Sequence, residues 1–393
     1  MRWTATDALV LNRRRFLAGL GLTTAAALMT LPVEAAVKLL GADLDEPLFA
    51  SARRNSDGSH SVAILTADGR DVMDVPLPAR GHGVALSPDG RKLAAFARRP
   101  GQFIMMIDRT GEIPPQLTEA EPGRHYYGHG VFSADGRLLY AVENAFGKVG
   151  EETQGRVGVY DASGSTLKRI GEFETHGVGP HDILLAEQGR VLVVANGGID
   201  THPVTGREML NLDTMRPSIV YLDAASGELL AQHALPDDHH QLSLRHMALD
   251  GRGQVWVGGQ FEGEKSRYPQ LVVRLERDRP MELMPLKGDV LAQLDNYIGS
   301  VSVNASGDVV AMSCPRGGRI LYMAADSGAL LGLDSITDGC GLAAIDEHGF
   351  LVSDGNGGLS LADSPGTQAE SLAFVPGVSW DNHMLALQSP ELR

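Results

Sequence analysis

The sequence predicts an all-β protein built as a seven-bladed β-propeller, and three observations lead to this fold class. First, short apolar runs and tight turns repeat along the chain with a period of roughly 45 to 65 residues. Second, glycine is abundant, at 47 of 393 residues, as expected for many turns. Third, no helical periodicity of useful length competes with the strand pattern after the N-terminal segment. Four short strands in each repeat of this length are typical of a propeller blade.

Each repeat begins with an apolar run that leads into an Asp-Gly-like turn, and in four repeats a histidine precedes the run. These segments are GHGVALSPDGRKLAAFA with His82, GHGVFSADGRLLYAVEN with His129, PHDILLAEQGRVLVVAN with His181 and RHMALDGRGQVWVGGQ with His246. Counted back from the turn, His82 and His181 lie one residue earlier than His129 and His246. Two further repeats, around Ser300 and after Cys340, lack the histidine. A third strand follows each pair of runs, and its alternating apolar residues predict hairpins.

Six repeats are complete, and the two chain ends supply a seventh. The C-terminal segment SWDNHMLAL, with His383, reads as an innermost strand without outer strands. The segment before the first repeat reads as outer strands without an innermost one. We therefore expect the last blade to be closed by N- and C-terminal strands, which removes exposed sheet edges. A ring of six or eight blades is the alternative. Residues 36–393 are expected to form this single propeller domain.

Residues 1–35 have the features of a twin-arginine export signal. Arg13, Arg14 and Arg15 precede Phe16, an apolar run of small residues follows, and Ala35 ends an A-x-A-like cleavage site. The apolar run is too short for a stable membrane span, although an N-terminal anchor is the alternative. We therefore expect a periplasmic protein without a stable membrane span after cleavage.

Composition excludes several classes of function. The formal net charge is −15, and an acidic chain does not supply the basic surface that a nucleic-acid partner requires. Only three tryptophans are present, too few for the tryptophan-rich blade motifs of a quinoprotein dehydrogenase. No Ser-His-Asp arrangement, phosphate-binding glycine loop or CxxCH haem-attachment motif occurs, so no motif specifies a reaction.

The repeats resemble those of the broad YVTN/WD40-like propeller superfamily, although they lack its Trp-Asp signature. Over the whole chain, the twin-arginine signal and the histidine-marked inner strands are similar to a family of exported bacterial seven-bladed propellers of unknown function. Genes of that family often lie beside imelysin-type iron-uptake proteins and a dihaem-peroxidase-like protein. The resemblance implies a role in periplasmic metal handling, with iron as the expected metal and those two proteins as partners.

The histidines are expected to converge at the mouth of the central channel, where the innermost strand of every propeller blade begins. Neutral imidazoles with carboxylates nearby suit Fe, Cu or Zn. Residues 237–240 are similar to the histidine-rich inner segments of the nitrous oxide reductase propeller, which holds a copper cluster, so we expect Fe or Cu. In the alternative, the histidines are structural and hydrogen-bond within their own blades. The candidate metal ligands are His82, His125, His129, His176, His181, His239, His240, His246 and His383.

Two cysteines and one long insertion are also predicted on the histidine face. Cys314 and Cys340 fall on adjacent blades and can form a disulfide, with structural thiols or soft metal ligands as alternatives. The insertion, residues 197–218, is interpreted as a lid, a docking loop or a plain surface loop. Four other histidines lie in predicted turns or outer strands, where we expect solvent exposure: His60, His202, His233 and His348.

Three functions are compatible with these features. The first is a periplasmic metal-binding propeller that serves metal uptake as a carrier, sensor or docking protein. The second is a metal-dependent periplasmic oxidoreductase or a lactonase-like enzyme. A lactonase would hold its cation with carboxylate and Asn ligands, whereas the ligands here are mostly histidines. The third is a protein-interaction scaffold with structural histidines. Because no motif specifies a reaction, the sequence favours binding over catalysis.

Overall fold

A computed structural model of the chain describes residues 46–387. These residues form seven four-stranded antiparallel sheets. The predicted all-β, seven-bladed propeller is therefore confirmed, and the rings of six or eight blades are excluded. The predicted export signal, residues 1–35, lies outside the described residues. Between residues 46 and 387, no helix combines the length and apolar character needed to cross a bilayer.

Six blades each use four consecutive strands, and they are numbered here in chain order. Blade 1 contains β4 (Gly81–Leu86), β5 (Lys92–Ala97), β6 (Phe103–Asp108) and β7 (Gln116–Glu119). Blade 2 contains β8 (Arg124–Phe132), β9 (Leu138–Ala145), β10 (Gln154–Asp161) and β11 (Lys168–Glu174). Blade 3 contains β12 (Pro180–Ala186), β13 (Val191–Asn196), β14 (Ser218–Asp223) and β15 (Leu229–Ala234). Blade 4 contains β16 (Leu242–Leu249), β17 (Val255–Phe261), β18 (Val272–Leu275) and β19 (Glu282–Leu283). Blade 5 contains β20 (Ser300–Val303), β21 (Val309–Cys314), β22 (Arg319–Ala324) and β23 (Leu330–Ser335). Blade 6 contains β24 (Gly339–Ala344), β25 (Phe350–Asp354), β26 (Gly358–Ala362) and β27 (Glu370–Phe374).

Blade 7 joins the two ends of the described chain. Its strands are β1 (Leu48–Arg54), β2 (His60–Thr66), β3 (Asp71–Leu77) and β28 (Ser379–Leu387). Strand β28 is innermost and pairs antiparallel with β1, from Leu48 opposite Leu387 to Arg54 opposite Ser379. The predicted closure by N- and C-terminal strands is thus confirmed. The inner strands β4, β8, β12, β16, β20, β24 and β28 contact one another in this order around the ring.

Little helix accompanies the strands in residues 46–387. One short α-helix, α1 (Gly288–Leu294), precedes blade 5 and buries Val290, Leu291 and Leu294 against the core between blades 4 and 5. Four 3-10 turns occupy Glu187–Gly189, Pro203–Thr205, Leu212–Thr214 and Asp237–His239. The second and third of these lie in the insertion between β13 and β14, where they give the loop local structure.

The core lies between the blades. Seven clusters of buried apolar side chains fill the spaces between adjacent blades of the described ring. Strand β13 shows how alternation produces this arrangement, since Val193 packs towards blade 4 whereas Leu192 and Val194 pack towards blade 2. Each such buried side chain contributes about 1.5–3 kcal/mol of hydrophobic stabilisation. The packed blades therefore hold the inner strands, and the histidines on them, in fixed positions around the channel.

Candidate metal centre

β-Bulges turn the histidines into the channel. The pairing of each histidine-bearing inner strand shifts register at or beside its histidine: His82, His129, His181, His246 and His383. The two blades whose inner strands lack a histidine differ from each other: β20 and β21 of blade 5 pair without any shift, whereas β24 and β25 of blade 6 shift around Cys340. A bulge interrupts the strict alternation of side chains and re-aims the residue that it contains.

Five imidazoles, one from each of five blades, form one cluster beside these bulges. The centroids of the His82 and His383 rings lie 4.5 Å apart, and those of His129 and His383 lie 4.6 Å apart. His246 lies 4.6 Å from His383 and 4.7 Å from His181. The His82 and His246 rings lie farther apart, with 6.3 Å between their centroids. The predicted convergence of histidines is thus present for these five residues, which we call the histidine cluster.

Glycines beside the histidines make this close approach possible. A Cβ on Gly83 would lie 2.7 Å from Cδ2 of His129, and a Cβ on Gly128 would lie 2.7 Å from Cδ2 of His82. Gly128 also has a φ of +110°, which L side chains rarely adopt. The Gly-His-Gly triplets of blades 1 and 2 therefore pack the histidine of one blade against the glycine of the next.

Two nitrogens of the cluster have the spacing of two ligands on one metal ion. Nδ1 of His129 donates a hydrogen bond to the carbonyl oxygen of His181 at 2.6 Å, so Nε2 of His129 keeps its lone pair. This atom lies 3.2 Å from Nε2 of His383. Two imidazole nitrogens bound to one metal at about 2.0–2.1 Å with tetrahedral geometry lie ~3.3 Å apart. The pair could therefore coordinate one ion with little movement.

A buried carboxylate orients the third member of this group. Nδ1 of His82 donates to Asp381 at 2.6 Å, and Asp381 also pairs with Arg80 at 2.7 Å and Arg98 at 2.9 Å. Carboxylates that hold the far side of an imidazole fix the orientation of metal-binding histidines in many proteins. The ligand atoms of His82, His129 and His383 all lie within 4.8 Å of one another, so these three residues could hold a metal ion.

A second group shares His129 and adds a carboxylate. Ligand atoms of His129, Asp182 and His246 also lie within 4.8 Å of one another. The Asp182 carboxylate accepts backbone N–H bonds from Ile183 at 2.8 Å and Met247 at 2.9 Å, which fix its position. Burial raises the pKa of Asp182 above the ordinary value for an aspartate. Nδ1 of His246 is buried without a hydrogen-bond partner among the described residues.

Burial favours the neutral, metal-binding form of four of the cluster imidazoles. It lowers the pKa of His82 to about 3, although Asp381 opposes the shift. Burial also holds the pKa values of His181, His246 and His383 well below the ordinary value. Neutral imidazole is the ligand form of histidine, so these four residues need no deprotonation before a metal binds at neutral pH.

Four predicted ligands lie outside the cluster. His125 is fully buried, with Nδ1 bonded to the Tyr126 carbonyl oxygen at 3.2 Å and Nε2 bonded to Asn144 at 3.1 Å. His176 is exposed on a loop. His239 and His240 lie at a 3-10 turn, where their Nδ1 atoms are bonded locally, at 2.8 Å each, to the Asp238 carboxylate and the Asp237 carbonyl.

The cysteines do not form the disulfide that the sequence allowed. Both are free, buried thiols. Cys314 packs between blades 4 and 5, whereas Cys340 packs between blades 6 and 7, with Sγ 3.7 Å from the Trp380 carbonyl oxygen. Cys340 stands in a Gly-Cys-Gly triplet like the Gly-His-Gly of blade 1, but its side chain enters the core. Burial raises the pKa of both thiols, which favours structural thiols over metal ligands.

A cavity of about 460 Å³ lies next to the histidine cluster, and His82, His181 and His246 form part of its wall. Its remaining lining includes five arginines, which were not among the predicted site residues: Arg98, Arg99, Arg207, Arg245 and Arg316. Arg98 and Arg99 directly follow the second strand of blade 1, a position that lies on the histidine face. This position in the sequence could have indicated that the two arginines lie near the candidate site.

The insertion of blade 3 contributes directly to this cavity. Arg207 and Met209 line it, so the insertion borders the candidate site. The expected exposure of His202 within the insertion was wrong, because this residue is only 4% exposed. Its Nε2 bonds the Gly147 carbonyl oxygen at 3.1 Å, and its Nδ1 accepts the Val204 N–H at 3.2 Å. The bond to Gly147 ties the insertion to the loop after β9.

Comparisons with known proteins agree with this fold. Hydrazine synthase from Kuenenia stuttgartiensis has a TM-score of 0.56 at 15% identity, over 76% of this chain and 90% of that chain. The periplasmic gluconolactonase PpgL from Pseudomonas aeruginosa has a TM-score of 0.55 at 16% identity, over 87% of this chain and 99% of that chain. These identities show likeness of fold alone. A search of curated protein sequences found no match. Residues 75–387 match the family described as "Protein of unknown function (DUF1513)". This match spans most of the chain and agrees with the resemblance noted in the sequence, so the chain belongs to that family.

Proposed function

We propose that this chain is a periplasmic protein that binds a transition metal ion, Fe or Cu, at the histidine cluster. In this proposal it serves metal uptake as a carrier, sensor or docking protein. One observation carries the proposal: the ligand atoms of His82, His129 and His383 lie within 4.8 Å of one another, with two imidazole nitrogens 3.2 Å apart.

The chemistry of the donor set supports a transition metal. Imidazole nitrogens favour Fe, Cu and Zn over Mg or Ca, which prefer oxygen ligands. Two buried cluster nitrogens, Nε2 of His181 and Nδ1 of His246, have no hydrogen-bond partner among residues 46–387. Buried polar atoms without partners are costly, and a bound ion would satisfy such atoms. Iron is preferred over copper because of the gene neighbourhood that the family resemblance implies. That neighbourhood also makes imelysin-type and dihaem-peroxidase-like proteins the proposed partners.

An enzyme at the same site is the second candidate, and the cavity beside the cluster favours it. A substrate in that cavity could reach a metal held by the histidines. One of the fold neighbours bears the name of a lactonase, but the lactonase reading needs mainly carboxylate and Asn ligands. Here Asp182 is the carboxylate grouped with the histidines, so a redox or Lewis-acid role of the metal fits better than a lactonase role.

Metal analysis of protein purified after native export tests the proposed function. The site variant is His129→Gln/His383→Gln, which keeps a polar side chain at both positions. The matched control is His239→Gln/His240→Gln, which removes two histidines outside the cluster. We expect about one Fe or Cu per chain in the wild type and control, and at least a tenfold lower content in the site variant. In the Cu²⁺-loaded wild type, electron paramagnetic resonance is expected to show coupling to imidazole nitrogen.

Thermal unfolding shows whether the site variant is folded, so that a loss of metal caused by misfolding is distinguished from a loss of ligands. Circular dichroism is measured on each protein, and His82→Gln replaces the double variant if the latter lacks the cooperative transition of the wild type. If wild type and folded variants contain no metal even after incubation with Fe and Cu salts, the proposal fails. The histidines would then be structural.

A further inference from the structure

The cavity beside the histidine cluster is strongly basic, although the chain as a whole carries a net charge of −15. Five arginines line it against two carboxylates, Glu262 and Asp338. The arginines come from blades 1, 4 and 5 and from the insertion of blade 3. These arginines create a local positive potential around the cavity of an otherwise acidic protein. Such a potential attracts anions.

Two of these five arginines form ion pairs with carboxylates. Arg98 pairs with Asp381 at 2.9 Å, and Arg245 pairs with Glu262 at 2.8 Å. In the part of the chain that the structure describes, no such ion pair involves Arg99, Arg207 or Arg316. Arg207 lies in the field of Arg98 and Arg99, and burial together with these like charges lowers its pKa. An anion in the cavity would compensate this repulsion.

Two of the arginines are held in place by aromatic rings. The Arg99 guanidinium lies 5.6 Å from the Tyr127 ring centroid, and the Arg316 guanidinium lies 4.8 Å from the Tyr297 ring centroid. A guanidinium that stacks on an aromatic ring keeps the N–H donors at its edge available for hydrogen bonds. Blades 1 and 5 stand across the seven-bladed ring from each other, so these donors approach the cavity from different sides.

We propose that this cavity binds a small organic anion with two or more carboxylate groups, held by the arginines beside the histidine cluster. Guanidinium groups bind carboxylates through paired, charge-assisted hydrogen bonds. Arginines on separate walls suit an anion whose charges are separated along a carbon skeleton better than one compact anion. The volume, about 460 Å³, is in the usual range for small-molecule sites.

The anion would also lie within reach of a metal ion at the cluster. His82, His181 and His246 belong both to the cavity wall and to the cluster, so a carboxylate oxygen in the cavity could complete the coordination of such an ion. This part of the inference rests on the function proposed above. Binding of the anion by the arginines does not depend on it, and the two can be tested separately.

Calorimetric titration of citrate into chelator-treated, metal-free protein at low salt tests the anion site. The site variant is Arg99→Gln/Arg316→Gln. The control is Arg252→Gln/Arg279→Gln, which removes the same charge from two exposed arginines at the opposite end of the ring. We expect the site variant to bind citrate at least tenfold more weakly than the wild type, since charge-assisted hydrogen bonds are lost. The control is expected to stay within about twofold of the wild type.

Several outcomes of these titrations would support or overturn the proposed anion site. The proposal is overturned if the wild type does not bind citrate, if the site variant binds it as well as the wild type, or if the control loses as much affinity. Inorganic phosphate is titrated in parallel, and phosphate binding as tight as citrate binding would overturn the assignment to carboxylates. His129→Gln/His383→Gln is expected to retain citrate binding in the metal-free state. A protein that binds citrate but no metal would refute the metal function and leave the anion site standing.

Discussion

Replacing His181 by leucine is expected to stabilise the metal-free protein. His181 is only 9% exposed, and its Nε2 atom has no hydrogen-bond partner among the described residues. Its ring packs at 4.7 Å from His246 and 5.3 Å from His129. The backbone carbonyl that accepts from His129 is unchanged by the substitution. The variant therefore removes a buried polar ring and leaves the bond to its neighbour intact.

The size of the effect follows from two opposing terms. An unsatisfied buried polar atom costs about 1–3 kcal/mol, which leucine removes. The change of shape within a packed site costs up to ~1.5 kcal/mol. The expected net gain in the free energy of unfolding is about 1 kcal/mol. Unfolding entropy of ~2.1 cal/mol/K per residue makes this a rise in Tm of ~1–2 °C for a domain of this length.

His125→Leu is the matched control, and the expected change has the opposite sign. His125 is fully buried, but both of its ring nitrogens are hydrogen-bonded, to the Tyr126 carbonyl oxygen and to Asn144. Leucine would remove both bonds and leave buried polar groups without these partners. We expect a loss of about 1–3 kcal/mol.

Both variants are compared with the wild type by urea unfolding at pH 8 in the presence of a chelator. At this pH the buried imidazoles are neutral in the folded and unfolded chains, so ionisation does not enter the comparison. A His181→Leu protein that is less stable than the wild type, or as destabilised as His125→Leu, would refute the reasoning. It would mean that His181 is a satisfied structural residue and that the cluster carries no stability cost.

Three further predictions concern backbone space, ligand orientation and pH. Gly128→Ala is expected to cost more stability than Gly150→Ala. Both have positive φ, but only at Gly128 does the new Cβ meet the His82 ring, and unfolding of the two variants by denaturant checks the difference. Asp381→Asn is expected to lower metal affinity about 10- to 100-fold through misorientation of His82, with metal titration as the measurement. Burial would raise the pKa of Glu172, but hydrogen bonds to two arginines outweigh it and hold this pKa at about 2. The stability that results from this lowered pKa is present above the unfolded pKa and is lost as pH falls from ~4.5 to ~2. Glu172→Gln is therefore expected to lower the free energy of unfolding by about 1–2 kcal/mol at pH 7 and by almost nothing near pH 2.

The fold could be predicted from sequence because each blade repeats the same local signals. Alternating apolar residues and glycine turns specify hairpins at every repeat, and the incomplete segment with His383 indicated how the ring closes. The histidine cluster was predictable to the extent that its members precede inner strands. His125 precedes the bulge of its strand and remains in the blade, and His176 lies on a loop before its strand, so a residue near an inner strand does not always enter the channel.

The rest of the site depends on contacts between distant parts of the chain. Asp381 meets His82 from 299 residues away, and no local pattern indicates this pair. Arg207 reaches the cavity from an insertion whose path depends on the burial of His202. Arg245 of the cavity lies in strand β16 and the other four arginines lie in loops of blades 1, 3 and 5, so only the closed ring brings them together.

The offset among the histidines shows why the bulges matter for function. His82 and His181 lie one residue further from their turns than His129 and His246, and in regular strands a one-residue offset would place the side chains on opposite faces. The bulges absorb this offset, and all four rings meet. Blade 5 lacks both bulge and histidine, and its loops instead contribute Arg316 to the cavity. In the proposed site, the histidine-bearing blades would supply nitrogen ligands to a metal ion, and blade 5 would supply Arg316 to an anion beside it.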